Sequence, residues 1–178
     1  MKIDRSTIIV TGASSGIGAA LATQLAGAGA RVGIIARRAD RLESVLAECR
    51  TTSPDSDMWV ADLSDLDAAA DVAHACEARF GVIDALVNNA AIGKRKLVQT
   101  LTADDVDVTM RTNFTSPIRM ATVLLPQMLA RQSGLIVNVS SMGGRLGIAH
   151  EAAYSASKFA MCGWSEAARI DLDGTGVQ

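Results

Sequence analysis

The chain has 178 residues, of which 49% are hydrophobic and 20% are charged, and its formal net charge is −2. This length fits one domain better than two, so we predict a single domain over residues 1–178 with the composition of a soluble globular protein. Because there is no basic excess, neither nucleic acid nor a membrane surface is an expected partner.

Cysteine and histidine are sparse in this chain. Cys49, Cys76 and Cys162 lie far apart without a C-x-x-C pair, and the two histidines are His74 and His150. This distribution predicts reduced cysteines and neither a disulfide framework nor a metal site. The N-terminus passes from a charged start into a short apolar stretch without a cleavage site, which favours a cytoplasmic protein.

Five short apolar runs predict the strands of a parallel sheet. The runs are continuously apolar rather than alternating, which is typical of strands buried on both faces. In chain order they cover residues 7–10, 31–36, 58–61, 84–89 and 134–140.

Helical patterns separate these runs. The first predicted helix extends from Ile17 to Ala28, and Gly29 is its stop signal. The second begins at Asp40, and Glu43 is its capping-box partner.

Three further helices follow. The third begins near Ser64, has Asp67 as capping-box partner and ends at Gly81, whereas the fourth begins near Thr102. Pro117 lies inside the long fourth helix and predicts a kink or break there. The fifth begins around residue 154 and ends before residue 173. Strand and helix alternate, which predicts a Rossmann-like α/β fold: a doubly wound parallel sheet of about five strands with helices on both faces.

The sequence TGASSGIG, residues 11–18, lies between the first strand and the first helix. Its glycines Gly12, Gly16 and Gly18 permit a tight turn, and the start of the helix offers free N–H groups to a pyrophosphate. The pattern predicts a dinucleotide site, and the alternative is a glycine-assisted turn that binds nothing.

The end of the second strand bears on the choice of cofactor. Ala36 stands where an acidic residue would bind a ribose 2′-hydroxyl, and Arg37 and Arg38 follow it. A guanidinium can hold a phosphate with paired hydrogen bonds, so we expect NADP(H) rather than NAD(H), with Arg37 as the contact. The alternative is a solvated pair of arginines before a helix.

Tyr154 is the only tyrosine, and Lys158 follows it by one helical turn. In a helix the two side chains share a face, where an ammonium can favour the phenolate of a tyrosine whose ordinary pKa is about 10. The pair predicts proton transfer, and the alternative is a helix start with a solvated lysine.

Four motifs occur in order: TGASSGIG at 11–18, NNA at 88–90, NVSS at 138–141 and YSASK at 154–158. On these motifs the chain resembles the short-chain dehydrogenase/reductases, specifically their single-domain branch, and the resemblance covers essentially the whole chain. It implies an oxidoreductase that interconverts a carbonyl and an alcohol on a small molecule by hydride transfer.

The resemblance also implies a catalytic set. Tyr154 would be the general acid/base, and Lys158 would activate it and bind the nicotinamide ribose. Ser141 lies thirteen residues before Tyr154, so it rather than Ser140 would orient the substrate. Asn113 would help to hold a water in the proton relay. The alternatives are a solvated lysine, a serine that caps a loop, and an asparagine bonded to helix backbone.

Cofactor contacts follow from the same resemblance. Asp62 and Leu63 match the pair that contacts the adenine, and Asn89 and Ala90 would line the cofactor beyond the fourth strand. The full predicted set is Gly12, Ser14, Ser15, Gly16, Ile17, Gly18, Arg37, Arg38, Asp62, Leu63, Asn89, Ala90, Tyr154 and Lys158.

Two departures from the family pattern stand out. Ala91 replaces the glycine of the family's NNAG motif, and the chain stops where the family's sixth strand ordinarily begins. We therefore expect a domain truncated at its C-terminal end, with the fifth strand as an apolar sheet edge. An inactive fragment of such an enzyme and a non-catalytic dinucleotide-binding regulatory domain remain alternatives to an active enzyme.

Family resemblance further implies a homodimer or homotetramer, formed through the fourth and fifth helices. The outward faces of these helices are expected to include several large apolar residues, although such a stripe is also typical of ordinary core. These residues are Met110, Met120, Met128, Met161 and Trp164.

Overall fold

Five parallel strands form one sheet in the computed structural model, which describes residues 2–178. The strand order is β3-β2-β1-β4-β5. The strands are β1 Thr7–Thr11, β2 Arg31–Ala36, β3 Asp57–Val60, β4 Ala85–Asn88 and β5 Leu135–Asn138. All five predicted strands are confirmed. The order reverses between β1 and β4, and in such sheets ligands bind outside the carboxyl ends of the strands at this point.

Helices connect the strands and cover both faces of the sheet, as predicted. They are α1 Gly16–Gly27, α2 Ala39–Arg50, α3 Leu66–Phe80, α4 Ala103–Met110, α5 Ser116–Ala130 and α6 Ala152–Asp171. A π-helical turn, Arg111–Thr115, joins α4 to α5, and 3₁₀ turns cover Val98–Thr100 and Met142–Gly144.

The core has two parts, one on each face of the sheet. Ile9 belongs to the cluster that packs with α3 and α5, whereas its neighbours Ile8 and Val10 belong to the cluster that packs with α1 and α2. Successive residues of a strand point to opposite faces, so a strand covered on both sides must be apolar throughout. This explains the continuous runs in the sequence.

Two predicted helix starts are wrong. The second helix begins at Ala39, its N-cap is Arg38 and Asp40 lies in the first turn, so the predicted Asp40–Glu43 capping box is not the N-cap arrangement. The Arg38 side chain bonds to the glycine loop, which places the helix start directly after this residue.

The N-cap of the third helix lies one residue after the predicted cap, and the helix begins at Leu66. Asp65 rather than Ser64 is the N-cap, and its carboxylate accepts hydrogen bonds from the N–H groups of Asp67 and Ala68. The reason lies upstream, because the Asp62 carboxylate accepts from Ser64 N at 2.9 Å and so holds Ser64 in a turn before the helix. The predicted stop at Gly81 is confirmed.

The predicted break near Pro117 is confirmed. Thr102 caps α4, and the π-helical turn separates α4 from α5 just before the proline. Pro117 lies in the first turn of α5, and because it has no N–H it cannot continue the helical hydrogen bonding of the turn before it.

The apolar residues predicted on outward helix faces are largely core. Met120 and Met128 are fully buried and Met161 is 2% exposed, so the outward placement of these three was wrong. Met120 and Met128 fill the space between α5, α3 and the sheet, which a flexible side chain does well. Trp164 is partly buried against the same cluster.

The chain ends as it begins to pair with β5. Val177 forms an isolated parallel bridge with Gly134, Gln178 N donates to Gly134 O at 3.0 Å, and Ile136 N donates to Gln178 O at 2.7 Å. Beyond these contacts, β5 is an edge strand beside a groove of about 240 Å³ between β5 and α6.

Candidate active site

The glycine loop after β1 is packed so tightly that side chains are excluded. A Cβ on Gly12 would lie 2.7 Å from Ala90 Cα, and a Cβ on Gly18 would lie 2.5 Å from both Asn89 Nδ2 and Gly12 O. Gly12 and Gly16 also have left-handed φ angles of 68° and 57°. Close packing therefore requires glycine at 12 and 18, and the turn itself requires it at 16.

The end of β4 is bonded to this loop. Thr11 Oγ1 accepts hydrogen bonds from the N–H groups of Asn89 and Ala90, each at 3.0 Å. Asn89 Nδ2 donates to Thr11 O at 3.0 Å. The loop and residues 89–90 thus form one wall at the point where the strand order reverses.

A cavity of about 320 Å³ lies along this wall. Ten of the predicted cofactor residues line it: Gly12, Ser14, Ser15, Ile17, Arg37, Arg38, Asp62, Leu63, Asn89 and Ala90. Gly16 and Gly18 shape the loop without lining the cavity. Tyr154 and Lys158 are not part of its lining either.

The two arginines after β2 have different partners. Arg38 Nη2 donates to Ser14 Oγ at 2.9 Å and to Ser15 Oγ at 2.8 Å. Arg37 Nη1 lies 3.8 Å from Asp62 Oδ2, and both side chains are more than half exposed. Arg38 is therefore the guanidinium fixed against the glycine loop, and Arg37 faces the other side of the cavity.

Asp62 is held in its ionised form. Partial burial by itself raises the pKa of Asp62, but hydrogen bonds from Ser64 and the charge of Arg37 outweigh it, so that this pKa lies below its ordinary value. Leu63, the next residue, is 5% exposed and packs in the core while also lining the cavity.

Tyr154 and Lys158 lie together in the first turns of α6. The Lys158 ammonium is 5.7 Å from the centre of the Tyr154 ring and donates to Val139 O at 2.7 Å. Lys158 is only 3% exposed, and burial lowers its pKa, while the nearby Cys162 acts weakly in the opposite direction. Since Val139 follows β5, the end of that strand fixes the lysine beside the tyrosine.

Ser141 lies on the segment that passes the tyrosine ring. Its Oγ accepts from Gly143 N at 3.1 Å, and a Cβ on Gly143 would lie 3.3 Å from two atoms of the Tyr154 ring. Ser140 instead places its Oγ 3.1 Å from Cys162 Sγ on α6. Ser141 therefore keeps its own hydroxyl proton available, two residues before the glycine that passes the Tyr154 ring.

Asn113 belongs to the π-helical turn and is 1% exposed. Its Oδ1 accepts from Ile92 N at 2.8 Å, and its Nδ2 donates to Ile92 O at 2.8 Å and to Ser157 Oγ at 3.1 Å. The side chain thus clamps the segment after β4 and contacts α6 through Ser157. Its direct partners do not include the tyrosine side chain.

Ion pairs anchor the segment that continues after Ile92. Lys96 Nζ lies 2.5 Å from Asp105 Oδ2, and Arg95 Nε lies 2.7 Å from Glu151 Oε1 at the start of α6. The hydrogen bond from Lys96, together with those from Thr102, holds the pKa of Asp105 well below its usual range. These contacts tie the segment to α4 and α6.

Comparison with known proteins decides the family. A family model described as short chain dehydrogenase matches residues 6–178. The chain belongs to the short chain dehydrogenase family. An uncharacterized oxidoreductase of Myxococcus xanthus is 37% identical over 172 residues, which cover 97% of this chain and 68% of the relative.

Two further relatives agree with this family assignment. Dehydrogenase/reductase SDR family protein 7-like of Anopheles gambiae is 38% identical over 176 residues, which cover 96% of this chain and 55% of the relative. The solved structure of a metagenomic short-chain oxidoreductase in complex with NADP has a TM-score of 0.94 and 34% identity, and covers 100% of this chain and 81% of that chain. The chain spans 55% to 68% of the length of the two curated relatives.

Several residues of this short chain dehydrogenase site were not predicted. Ala61, Ile92 and Thr112 line the cavity, and Thr11 bonds the loop to β4. Thr11 could have been found, because it ends β1 and would face the end of the neighbouring β4 in a parallel sheet. Ala61 and Ile92 carry no chemical signal in the sequence.

Ala91, which replaces the family glycine, also lines the cavity. Its φ lies outside the left-handed region, which among the non-glycine residues described contains Arg5, Gln132 and His150. The methyl group of Ala91 therefore imposes no backbone strain in this short chain dehydrogenase.

Residues 2–178 contain neither a membrane-spanning helix nor a cluster of potential metal ligands. No helix in this range is both long and apolar enough to cross a membrane. Within the same range, no group of three or more histidine, cysteine or acidic residues converges as a metal site would require.

Proposed function

We propose that the chain is an NADP(H)-dependent oxidoreductase that interconverts a carbonyl and an alcohol on a small molecule. The observation that supports this best is the buried Lys158 ammonium, 5.7 Å from the ring centre of Tyr154. A cation at this distance in a partly desolvated site favours the phenolate form of tyrosine. Buried ionisable residues whose pKa is shifted, as that of Lys158 is, are found preferentially at active sites.

Tyr154 gives a proton to the carbonyl oxygen during reduction and takes one from the alcohol during oxidation. Lys158 places a positive charge beside the Tyr154 ring, where the phenolic proton would be exchanged. Ser141 Oγ accepts from Gly143 N, so its own O–H can donate to the substrate oxygen. Asn113 holds the segment after β4 in place through its two hydrogen bonds to the Ile92 backbone.

The residues around the cavity fit a dinucleotide. Ser15, the N-cap of α1, makes no side-chain cap bond, and the first turn of α1 has no acidic residue, so this helix end is free to bind an anion. Gly12 and Gly18 have no side chains, so the backbone of the loop can approach a pyrophosphate closely. Bound NADP(H) would supply or accept the hydride.

Cofactor preference follows from the end of β2. Ala36 offers no carboxylate to a ribose 2′-hydroxyl, and Arg38, together with Ser14 and Ser15, would hold a 2′-phosphate. Arg37, whose guanidinium lies 3.8 Å from the Asp62 carboxylate, would add a second positive charge. The metagenomic short-chain oxidoreductase with a similar fold was solved with NADP, which supports the same choice.

The cofactor proposal is tested by Arg38→Ala and Arg37→Ala. We expect Arg38→Ala to raise KM for NADPH about tenfold or more, because charge-assisted hydrogen bonds to a phosphate are lost, and to change KM for NADH little. Arg37→Ala should have a smaller effect of the same kind. A wild-type preference for NADH would overturn the proposal.

A fragment without activity is the second candidate, favoured by one observation. The chain spans 55% to 68% of the length of the two curated relatives described above. The wild-type chain should be assayed for NADPH oxidation with a panel of aldehydes and ketones, and for cooperative unfolding. Turnover by a cooperatively folded chain supports the enzyme, whereas NADPH binding without turnover supports a fragment or a regulatory domain.

Two further predictions concern the partners of this chain. One is a homodimer or homotetramer formed through the fourth and fifth predicted helices, and the other is a small-molecule substrate. Sedimentation of the purified chain would measure the former directly.

A further inference from the structure

Ser157 lies in α6 between Tyr154 and Lys158 and is fully buried, with 0% exposure. Its hydroxyl donates to Tyr154 O at 2.7 Å and accepts from Asn113 Nδ2 at 3.1 Å. A serine in this position contacts neither the cavity nor the tyrosine ring, yet it bonds two residues of the proposed catalytic set.

These bonds continue to the wall of the cavity. Asn113 bonds both the N–H and the C=O of Ile92, each at 2.8 Å, and Ile92 lines the cavity. A hydrogen-bonded path therefore connects the backbone of Tyr154, through Ser157 and Asn113, to the segment after β4.

Ser157 and Ile92 together fix which way the Asn113 amide faces. Since the Ser157 proton is given to the Tyr154 carbonyl, its oxygen can only accept, so Nδ2 rather than Oδ1 of Asn113 must face it. A flipped amide would bring Oδ1 against both the Ser157 oxygen and Ile92 O. Ser157 therefore reinforces the orientation in which Oδ1 receives the Ile92 N–H.

We infer that Ser157 is a positioning residue that fixes the Asn113 amide and, through it, the Ile92 wall of the cofactor cavity relative to Tyr154 and Lys158. As far as it concerns catalysis, this role rests on the proposed function. The structural coupling between Ser157 and Ile92 does not, and it can be measured separately.

The test compares Ser157→Ala with Ser155→Ala. Ser155 is a matched control, because it is a buried serine on the same helix whose Oγ accepts from Ile148 N and makes no contact with Asn113. Ser157→Ala should speed hydrogen exchange at the Ile92 amide about tenfold relative to the sheet amides, whereas Ser155→Ala should change it by less than about twofold. NMR measures the exchange rate of the Ile92 amide in both variants, under conditions in which their free energies of unfolding are equal.

A second readout is the dissociation constant for NADPH, measured by fluorescence, which should rise several-fold in Ser157→Ala and not in Ser155→Ala. If Ser157→Ala does not fold, Ser157→Cys fills the same space with a much weaker hydrogen-bonding group and takes its place. An unchanged rate of hydrogen exchange at the Ile92 amide in Ser157→Ala, or in Ser157→Cys where that variant replaces it, would overturn the inference. This holds whether or not the wild type shows turnover. Altered Ile92 exchange in a chain without turnover would support the positioning role and contradict only the proposed function.

Discussion

Lys158 combines a cost to folding with the proposed chemistry. Burial of its ammonium lowers its pKa, which means that the folded protein holds this proton less tightly than the unfolded chain does. The charge is retained next to Tyr154, where it would favour the phenolate. Such a residue is expected to trade stability for activity.

Lys158→Met tests this trade. The variant removes the buried charge while keeping the volume, so its Tm at neutral pH should be no lower than that of the wild type, while turnover should fall about 100-fold or more. Lys96→Met is the control, because it breaks the ion pair with Asp105 and should lower Tm. A Tm of Lys158→Met far below that of the wild type would contradict the claim that burial of the Lys158 ammonium destabilises the folded protein.

The same residue gives a pH dependence. Between the lowered pKa of folded Lys158 and the ordinary value of about 10.4, the unfolded chain binds more protons, so the free energy of unfolding should rise with pH in that window. Lys158→Met should lose this rise. Denaturant titrations of both proteins across the alkaline range measure it, and parallel curves would count against the assignment.

For single residues, the sequence predicts which side chains are neighbours within one helix better than it predicts contacts between distant segments. One helical turn brought Tyr154 and Lys158 together correctly, because helix geometry is local. The partner of Arg38 could not be predicted, since its hydrogen bonds to Ser14 and Ser15 join segments from different strand ends. For the same reason the Ser157 contact with Asn113 was missed.

Among the elements, α1 offers the sharpest comparison, because two of its three glycines, Gly18 and Gly27, have opposite surroundings. A Cβ on Gly18 would lie 2.5 Å from Gly12 O, whereas a Cβ on Gly27 would meet nothing within 4 Å. Gly18→Ala should therefore distort the loop and weaken NADPH binding. Gly27→Ala should stabilise the protein by about 0.5–1 kcal/mol, since alanine is the better helix former.

Thermal unfolding and NADPH titration of the two variants provide the measurements. Equal effects of Gly18→Ala and Gly27→Ala on NADPH binding would show that the glycine requirement at 18 comes from helix propensity rather than from close packing. Gly27→Ala with normal binding and raised Tm is the expected control.

Element boundaries were less predictable than the elements themselves. Helix α3 starts after Asp65 because the Asp62 carboxylate holds Ser64, the predicted cap, in a turn before the helix. By contrast, the break before Pro117 follows from the missing N–H of proline and needs no tertiary information.

The whole molecule has two sheet edges that differ in protection. At the β3 edge, Asp57 pairs with Arg50 and Arg79, so charges flank that strand. On the β5 edge Val137 is 37% exposed, and only the first residues of this strand are paired by residues 177–178. An unpaired apolar edge is a template for association.

Val137→Lys should therefore slow concentration-dependent aggregation, because a lysine on an edge strand opposes pairing with another edge. Val60→Lys on β3, where Val60 is 54% exposed, is the matched control and should change little. Light scattering over time measures both. Equal protection by the two variants would show that net charge, not the β5 edge, controls aggregation.

At this largest scale the strand and helix order predicted the fold class, because a doubly wound parallel sheet is the standard arrangement of alternating strands and helices. The faces of the helices were harder, as Met120 and Met128 show, since apolar spacing does not tell core from interface. Pairing of the chain end with β5 depends on tertiary contacts and lies beyond local patterns.

The central claim is that Tyr154 transfers a proton during NADPH-dependent carbonyl reduction. The most direct measurement is NADPH oxidation by the wild type and Tyr154→Phe, with NADPH binding measured in both. We expect the wild type to turn over a carbonyl substrate, and Tyr154→Phe to lose about 100-fold or more of that rate while binding NADPH normally. A Tyr154→Phe variant that keeps most of the wild-type turnover would contradict the mechanism.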